Sequence, residues 1–329
     1  MYKVRKYTQE DHRIWDDFID NSKNSTFIFK RDFMEYHKER FEDFSLICFK
    51  NNLLVAILPA HKIDSTTIGS HLGLTYGGIV VRKSETFDNI LLIIDKLLFY
   101  LHTNHIEKLI YKPIYKYYNV IGSDEIAFAK FLIKAKLINR QVSSVINLQH
   151  KLRMSHNRTR NIRKASKSGI TIKEVKTCGE FWNKILIPNL KTKFNSEPVH
   201  SLEEITLLQR RFPNNIRQFN AYMGDKILAG ATLFVTPYVA RVQYNSSHIK
   251  AGNTGASDLL YFKLINNYFV DKNYFDFGTS FDSEGLNNGL LTWKESYGGR
   301  SFSIDTYEIE PKNYILLREK IKELGISFS

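Results

Sequence analysis

The sequence predicts an α/β (α+β) protein in two similar halves, residues 1–155 and 156–329, each a mixed central sheet flanked by helices. Three observations point there. The 329 residues are 43% hydrophobic and 13% aromatic, ample for two packed cores. A hairpin signal occurs twice: residues 44–50 and 53–61 flank Asn51-Asn52, and residues 219–223 and 226–231 flank Gly224-Asp225. Both pairs tolerate the positive φ of a tight turn. In each half the hairpin leads to a third strand, a glycine-bearing loop, a helix and a further strand, with residues 88–111 matching 257–277. Two copies of one α/β unit is the simplest account; chance likeness of two hairpins is the competing one.

Ahead of the first hairpin, helical spacing is present around Ile14, Trp15, Phe18 and Ile19 and around Phe33, Met34 and Tyr36, separated by the polar residues 21–25. The hairpin feeds a glycine-rich passage at 70–78 and a strand at 79–81. A helix over 87–103, a strand at 108–111, a helix near 125–134 and a strand at 142–148 follow. Between the halves lies the most basic stretch, with Lys151, Arg153, Arg158, Arg160, Arg163, Lys164 and Lys167 and no acidic residue. It reads either as a solvated helix face or as a phosphate-contacting surface, since guanidinium groups pair with phosphate oxygens two at a time. Its lack of aromatic side chains argues against stacking on bases.

A formal charge of +13 implies a positive field that attracts nucleic acid, acidic lipid or phosphorylated small molecules. The two cysteines, Cys48 and Cys178, offer no disulfide framework and no cysteine zinc site, and read as packing thiols. His102 and His105 lack a third ligand pattern, so no metal is expected. The first residues carry no signal-like apolar core, and the longest apolar tract, 90–101, is interrupted by Asp95 and Lys96. A cytoplasmic protein without a membrane span is the expectation. Walker and nucleophile-elbow motifs are missing.

The most informative stretch runs from His248 to Gly299. Lys250, Gly252, Asn253, Thr254, Gly255, Ala256 and Ser257 form a loop that passes into a segment with Leu259, Leu260, Phe262, Leu264 and Ile265 at helical spacing. Glycines before a helix allow close backbone approach, and the free N–H groups of the first turn favour an anion. Lys294 is a plausible neighbour of whatever sits there. As proton acceptors, Asp276 and Glu295 are the candidates, with a turn cap and a simple pairing to Lys294 as their structural alternatives.

These residues resemble a known family. The order hairpin, strand, loop, helix, strand is similar to the GNAT fold of acyl-CoA N-acyltransferases. Residues 161–170 (NIRKASKSGI), 274–278 (YFDFG) and 289–299 (GLLTWKESYGG) resemble motifs of FemAB-like and BioF2-like proteins, which comprise two tandem GNAT-like domains. The donor loop departs from the acetyltransferase pattern: lysine leads it and its second glycine comes one residue late. Pro188, Pro198 and Pro213 leave no room for the long helical arm of some Fem transferases. The resemblance implies an N-acyltransferase that moves an acyl group, acetyl in the first instance, from acyl-CoA to an amine of a sugar or cell-envelope precursor. A nucleotide-linked sugar is one such small-molecule acceptor. The alternatives are a Fem-type transferase that takes its group from aminoacyl-tRNA, and a non-catalytic nucleic-acid-binding protein on the same fold. It also implies that Lys294 lies near the developing oxyanion, and that Lys30, Arg31, Lys38, Tyr76, Gly77, Gly78 and Tyr244 serve the acceptor. Tyr76-Gly77-Gly78 has an equally simple reading as a hairpin-like turn ahead of Ile79.

Overall fold

A computed structural model of the chain describes residues 1–248, 254–282 and 284–327. The chain divides into two compact units, Met1–Arg140 with Ile304–Ser329, and Gln141–Ser303. The expected cut came once, after residue 155; here the chain passes between units twice, and its last segment belongs with the first unit.

The first unit contains β1 (Tyr2–Lys6), α1 (His12–Asp20), α2 (Arg31–Met34), β2 (Leu46–Lys50), β3 (Leu53–Leu58), β4 (His61–Lys62), β5 (Thr67–Gly69), β6 (Val80–Val81), α3 (Phe87–Thr103), β7 (Lys108–Tyr111) and α4 (Glu125–Leu132), and ends within β8 (Lys136–Asn147). Asn51 and Asn52 both take positive φ, 48° and 67°, so the β2–β3 hairpin has the tight turn that its sequence calls for. One antiparallel sheet runs β1-β2-β3-β6. Ile90, Leu91, Ile93, Ile94, Leu97 and Leu98 of α3 are buried in the core with Leu46, Cys48 and Leu58.

The second unit continues with α5 (His156–Lys167), β9 (Ile170–Val175), α6 (Gly179–Phe181), α7 (Ile187–Phe194), α8 (Leu202–Arg211), β10 (Ile216–Met223), β11 (Lys226–Val235), β12 (Val239–Ser247), α9 (Ala256–Lys263), β13 (Tyr274–Thr279), β14 (Phe281–Asp282), β15 (Gly285–Leu286) and α10 (Asn288–Glu295), and leaves within β16 (Arg300–Ile309). Its sheet has the order β9-β10-β11-β12-β13-β8. All neighbours are antiparallel except β12 and β13. That parallel pair needs a crossover, which α9 supplies. Leu259, Leu260, Leu264 and Ile265 cover Phe219, Leu233, Val242 and Phe275 of the sheet. Two of the helical segments of this unit contain a π-turn, Trp182–Leu186 between α6 and α7 and Leu264–Tyr268 after α9. The first ends two residues before Pro188, which has no N–H to give to a regular α ladder.

The final helix, α11 (Tyr314–Glu323), explains the return to the first unit. Leu317 and Ile321, one turn apart, join the core around α3, and Arg318 donates to both carboxylate oxygens of the fully buried Asp95 at 3.0 and 3.1 Å. A buried carboxylate needs such a partner, so α11 completes that core. Cys48 and Cys178 are both buried free thiols, in keeping with their reading as packing thiols.

Candidate active site

The parallel pairing of β12 with β13 lasts for three rungs, Val239–Arg241 against Tyr274–Asp276, and then ends while β12 runs on to Ser247. Where β12 loses that neighbour, the second unit has a cavity of about 500 Å³. Asn245, Ser246 and Ser247 of β12 form one wall, Ser257, Leu260 and Tyr261 of α9 another, and Leu290 and Trp293 of α10 a third. Lys193 near the end of α7 adds a cation. Asn189, one turn earlier on α7, fixes the strand end by donating to Ser246 Oγ and the Ser247 carbonyl, each at 2.7 Å.

At the last parallel rung lies a buried charged group. Arg241 and Asp276 face each other in register, and the guanidinium donates to Asp276 Oδ2 at 2.6 Å. Ser143 and the Gly278 amide donate to Oδ1 at 2.6 and 2.7 Å. Burial alone would raise this carboxyl; Arg241 first, then Ser143 and Gly278, outweigh it, and Asp276 titrates below its ordinary value. Lys294 on α10 is buried and donates to the carbonyls of Gly278, at 2.9 Å, and Thr279. Burial brings its ammonium down to about 8, with Asp276 opposing and Arg241 adding to the fall.

Around α9, the helix that faces the cavity, Gly255 is the cap with φ +75°, and a Cβ there would come within 2.4 Å of the Asn161 carbonyl oxygen. The glycine is required by the close packing of α5 as well as by its left-handed backbone. A carboxylate in the first turn, Asp258, would oppose an anion. It is buried and neutralised by Arg158 at 2.7 Å, Tyr297 at 2.6 Å and Asn161 at 2.9 Å. Thr254, Gly255, Ala256 and Ser257 are placed as a helix start; Lys250, Gly252 and Asn253 lie outside the described residues.

No protein-family model matches the sequence, and no curated protein matches it. Solved structures do match in fold. FemX superposes with a TM-score of 0.65 at 10% identity, covering 96% of this chain and 100% of FemX. The C-terminal DUF2156 domain of a putative lysylphosphatidylglycerol synthetase from Agrobacterium fabrum gives 0.57 at 11% identity, covering 97% of each chain. A tandem GNAT protein from the clavulanic acid biosynthesis pathway gives 0.53 at 10% identity, covering 94% of this chain and 99% of that one. The chain has a FemAB-like tandem GNAT fold.

Within this tandem GNAT frame several expected site residues change role. Asp276 is not a free base, because its oxygens already accept from an arginine, a serine and an amide. Glu295 is exposed, so the desolvation that would make it a base is lacking, and Lys294 bonds to carbonyls instead of pairing with it. Neither Lys294 nor Asp276 lines the cavity; both lock the strand ends beside it. Arg31 is 3% exposed, pairs with Glu35 and Asp43 and stacks on Tyr7 at 3.8 Å, which makes it an internal tie. Lys30 pairs with Asp20 at 2.9 Å, and Lys38 is exposed.

Tyr76, Gly77 and Gly78 are interior. Tyr76 Oη is 2.9 Å from Thr26 Oγ1, and Gly77 makes a parallel bridge to Pro113 with its amide on the Lys112 carbonyl at 2.7 Å. A Cβ on Gly78, at φ +95°, would meet Tyr111 Oη at 2.8 Å. These glycines admit neighbouring protein groups. Tyr244 stands on β12, one residue before the cavity wall. Gln243 is the unopposed residue of a β-bulge, since Thr232 pairs with Tyr244 and Leu233 with Val242. The Tyr244 hydroxyl is hydrogen-bonded to His200 Nδ1, its ring packs on Trp182, and burial pushes it up to about 12.

Sequence reasoning missed Lys193, Asn189 and the Asn245–Ser247 wall. The strand's alternation hid the last, and the π-turn ahead of Pro188 shifts the phase of the helix bearing Lys193. The proline was the only legible signal. Among the described residues, no group of three or more His, Cys, Asp or Glu side chains is arranged to hold a metal ion, and no helix is long and apolar enough to cross a membrane.

Proposed function

We propose that the chain is an N-acyltransferase whose second unit binds an acyl-CoA donor in the cavity beside β12 and passes its acyl group to a primary amine. The observation that carries this reading is the parting of β12 and β13 at a polar cavity. One wall of that cavity includes Ser257 in the first turn of α9, and Lys193 of α7 also lines it. The helix start and Lys193 suit a pyrophosphate, while Leu260, Leu290 and Trp293 suit the thioester arm. The amine attacks the thioester carbonyl carbon, the C–S bond breaks, and the proton lost from nitrogen leaves with the thiol or to water. Alignment of the two reactants supplies about 7 kcal/mol or more of barrier reduction, so a strong base is not required. Lys294 acts as a positioning residue, holding the carbonyls of Gly278 and Thr279 at the open edge.

The acceptor belongs to the class of sugar or cell-envelope amines that the family resemblance implies. Aminoacyl-tRNA as donor is the second reading, favoured by the net charge of +13. The deciding experiment is thermal unfolding of nucleic-acid-free protein with acetyl-CoA or with charged tRNA. Donor at about a hundred times its Kd adds roughly 2.7 kcal/mol to the native state. A rise with acetyl-CoA, followed by thiol release on addition of amines, supports the first reading; a rise with charged tRNA alone replaces it by the second.

A further inference from the structure

The second unit has another cavity, of about 620 Å³, between α5 and the far side of α9. Among the described residues it shares no lining residue with the cavity beside β12. Its interior is aliphatic and aromatic: Met154, Ile162, Phe262 and Ile265 form the floor, and Leu152, 48% exposed, stands at the mouth. The rim is cationic. Lys151, Arg153 and Arg163 line it, and Lys151 Nζ is steadied by Asn266 Oδ1 at 2.9 Å. Arg163 also lines an adjoining hollow with His156 and Arg160, and among the described residues no carboxylate lines either space. Arg153 and Arg163 are exposed, and among the described residues neither has an ion-pair partner.

A space of this size with an apolar floor is built for an organic ligand, and an unopposed cationic rim selects a ligand whose other end is anionic. Polynucleotide fits less well: it wants stacking aromatics along its track, and α5 carries none. We propose that this cavity takes one acyl chain of an anionic phospholipid at a bilayer surface, with Arg153 and Arg163 on the headgroup phosphate and Leu152 at the level of the glycerol. The basic run 151–167 is then a membrane-docking face, which is independent of the donor assigned to the other cavity.

The test is flotation of the full chain with vesicles of phosphatidylcholine alone and of phosphatidylcholine mixed with phosphatidylglycerol. Thermal unfolding with monomeric lysophosphatidylglycerol and with glycerol 3-phosphate accompanies it. Binding to the anionic vesicles only, and stabilisation by the lysolipid but not by glycerol 3-phosphate, is expected. Each basic residue at such a surface is worth about fivefold, so the double variant Arg153→Glu/Arg163→Glu should bind about twentyfold more weakly or worse. Leu152→Asp, at an exposed position, should weaken lysolipid binding with unchanged melting of the free protein. Failure to float overturns the proposal. So does equal stabilisation by glycerol 3-phosphate, or full lysolipid binding by Leu152→Asp, since either leaves the cavity without a chain. Retention of bulk tRNA that the double variant loses, with vesicles unbound, would assign the face to RNA instead.

Discussion

The two copies of the hairpin, strand, helix, strand plan end differently at the same point. In the second unit β12 and β13 pair for three rungs and part beside a cavity with a cationic wall. In the first, β6 pairs with β3, β7 pairs in parallel with β5 and antiparallel with β16, and among the described residues the segments of β6 and β7 meet through the isolated parallel bridge Gly77 to Pro113. The space there is closed by a tyrosine cluster, Tyr76 against Tyr115 and Tyr118 at 5.3 and 4.8 Å, and by Tyr111 bonding the Ile79 amide. The helix starts differ too. Glu85 is buried just before the α3 cap, an acidic group where an anion would need to sit, whereas Asp258 of α9 is neutralised by three donors. One copy of the plan has become packing and the other keeps an opening. Connectivity sets where a site can be; the side chains that fill or line the gap decide whether there is one.

That contrast can be broken most severely at its glycines. Gly255→Val and Gly78→Val each force a β-branched residue into left-handed backbone and against a fixed oxygen, and each should cost about 3 kcal/mol or more in urea unfolding. Only Gly255→Val should also abolish acetyl-CoA binding below its lowered Tm. Loss of binding in both would mean that the first unit takes part in holding the donor.

Next in size are opposite pH limbs. His37, His61 and His71 are buried around Phe41, and burial holds all three below their ordinary value, His37 at about 4. Arg40 and His61 depress His37 further, Asp43 opposes the fall at His61, and Arg31 adds to it at His71. The unfolded chain takes protons at about 6.5 that the folded unit refuses, so stability present above that pH is lost as pH falls toward 4. His37→Phe should remove on the order of 3 kcal/mol of this acid loss, read by urea unfolding at stepped pH. In the second unit, Lys294 releases its proton at about 8 when folded and at the ordinary 10.5 when unfolded. The unfolded state binds more protons between those values, so stability should rise with pH across that window, and Lys294→Met should flatten the rise. An unchanged slope in that variant would show that Lys294 is solvated. Smallest is Lys193→Ala, expected to weaken acetyl-CoA about tenfold with Tm unchanged, as loss of one charge-assisted contact would. Unaltered affinity by calorimetry would take Lys193 out of the donor site.

Much of the fold was legible because it rests on local rules. Asn51-Asn52 and Gly224-Asp225 announce their hairpins, and the apolar spacing of 87–103 and 256–265 announces helices. The anion-suited start of α9 was legible for the same reason, since cap and glycine are neighbours in sequence. The polar group at the strand ends was not. Arg241, Asp276, Ser143 and Lys294 are far apart in the chain, and nothing local tells that Asp276 is already satisfied or that Lys294 turns to carbonyls. The acceptor assignment of Arg31 and Tyr76–Gly78 misled because basic and glycine-rich segments look alike whether they face a ligand or the interior.

The sequence by itself determined two hairpins, a helix after each and a glycine before the second helix, because turn dihedrals and helical periodicity depend on residues a few positions apart. Only the tertiary structure decided which copy stays open, where the C-terminal helix belongs and which charges cancel. Those outcomes depend on burial, which changes the cost of a charge by bringing together side chains that the sequence keeps apart.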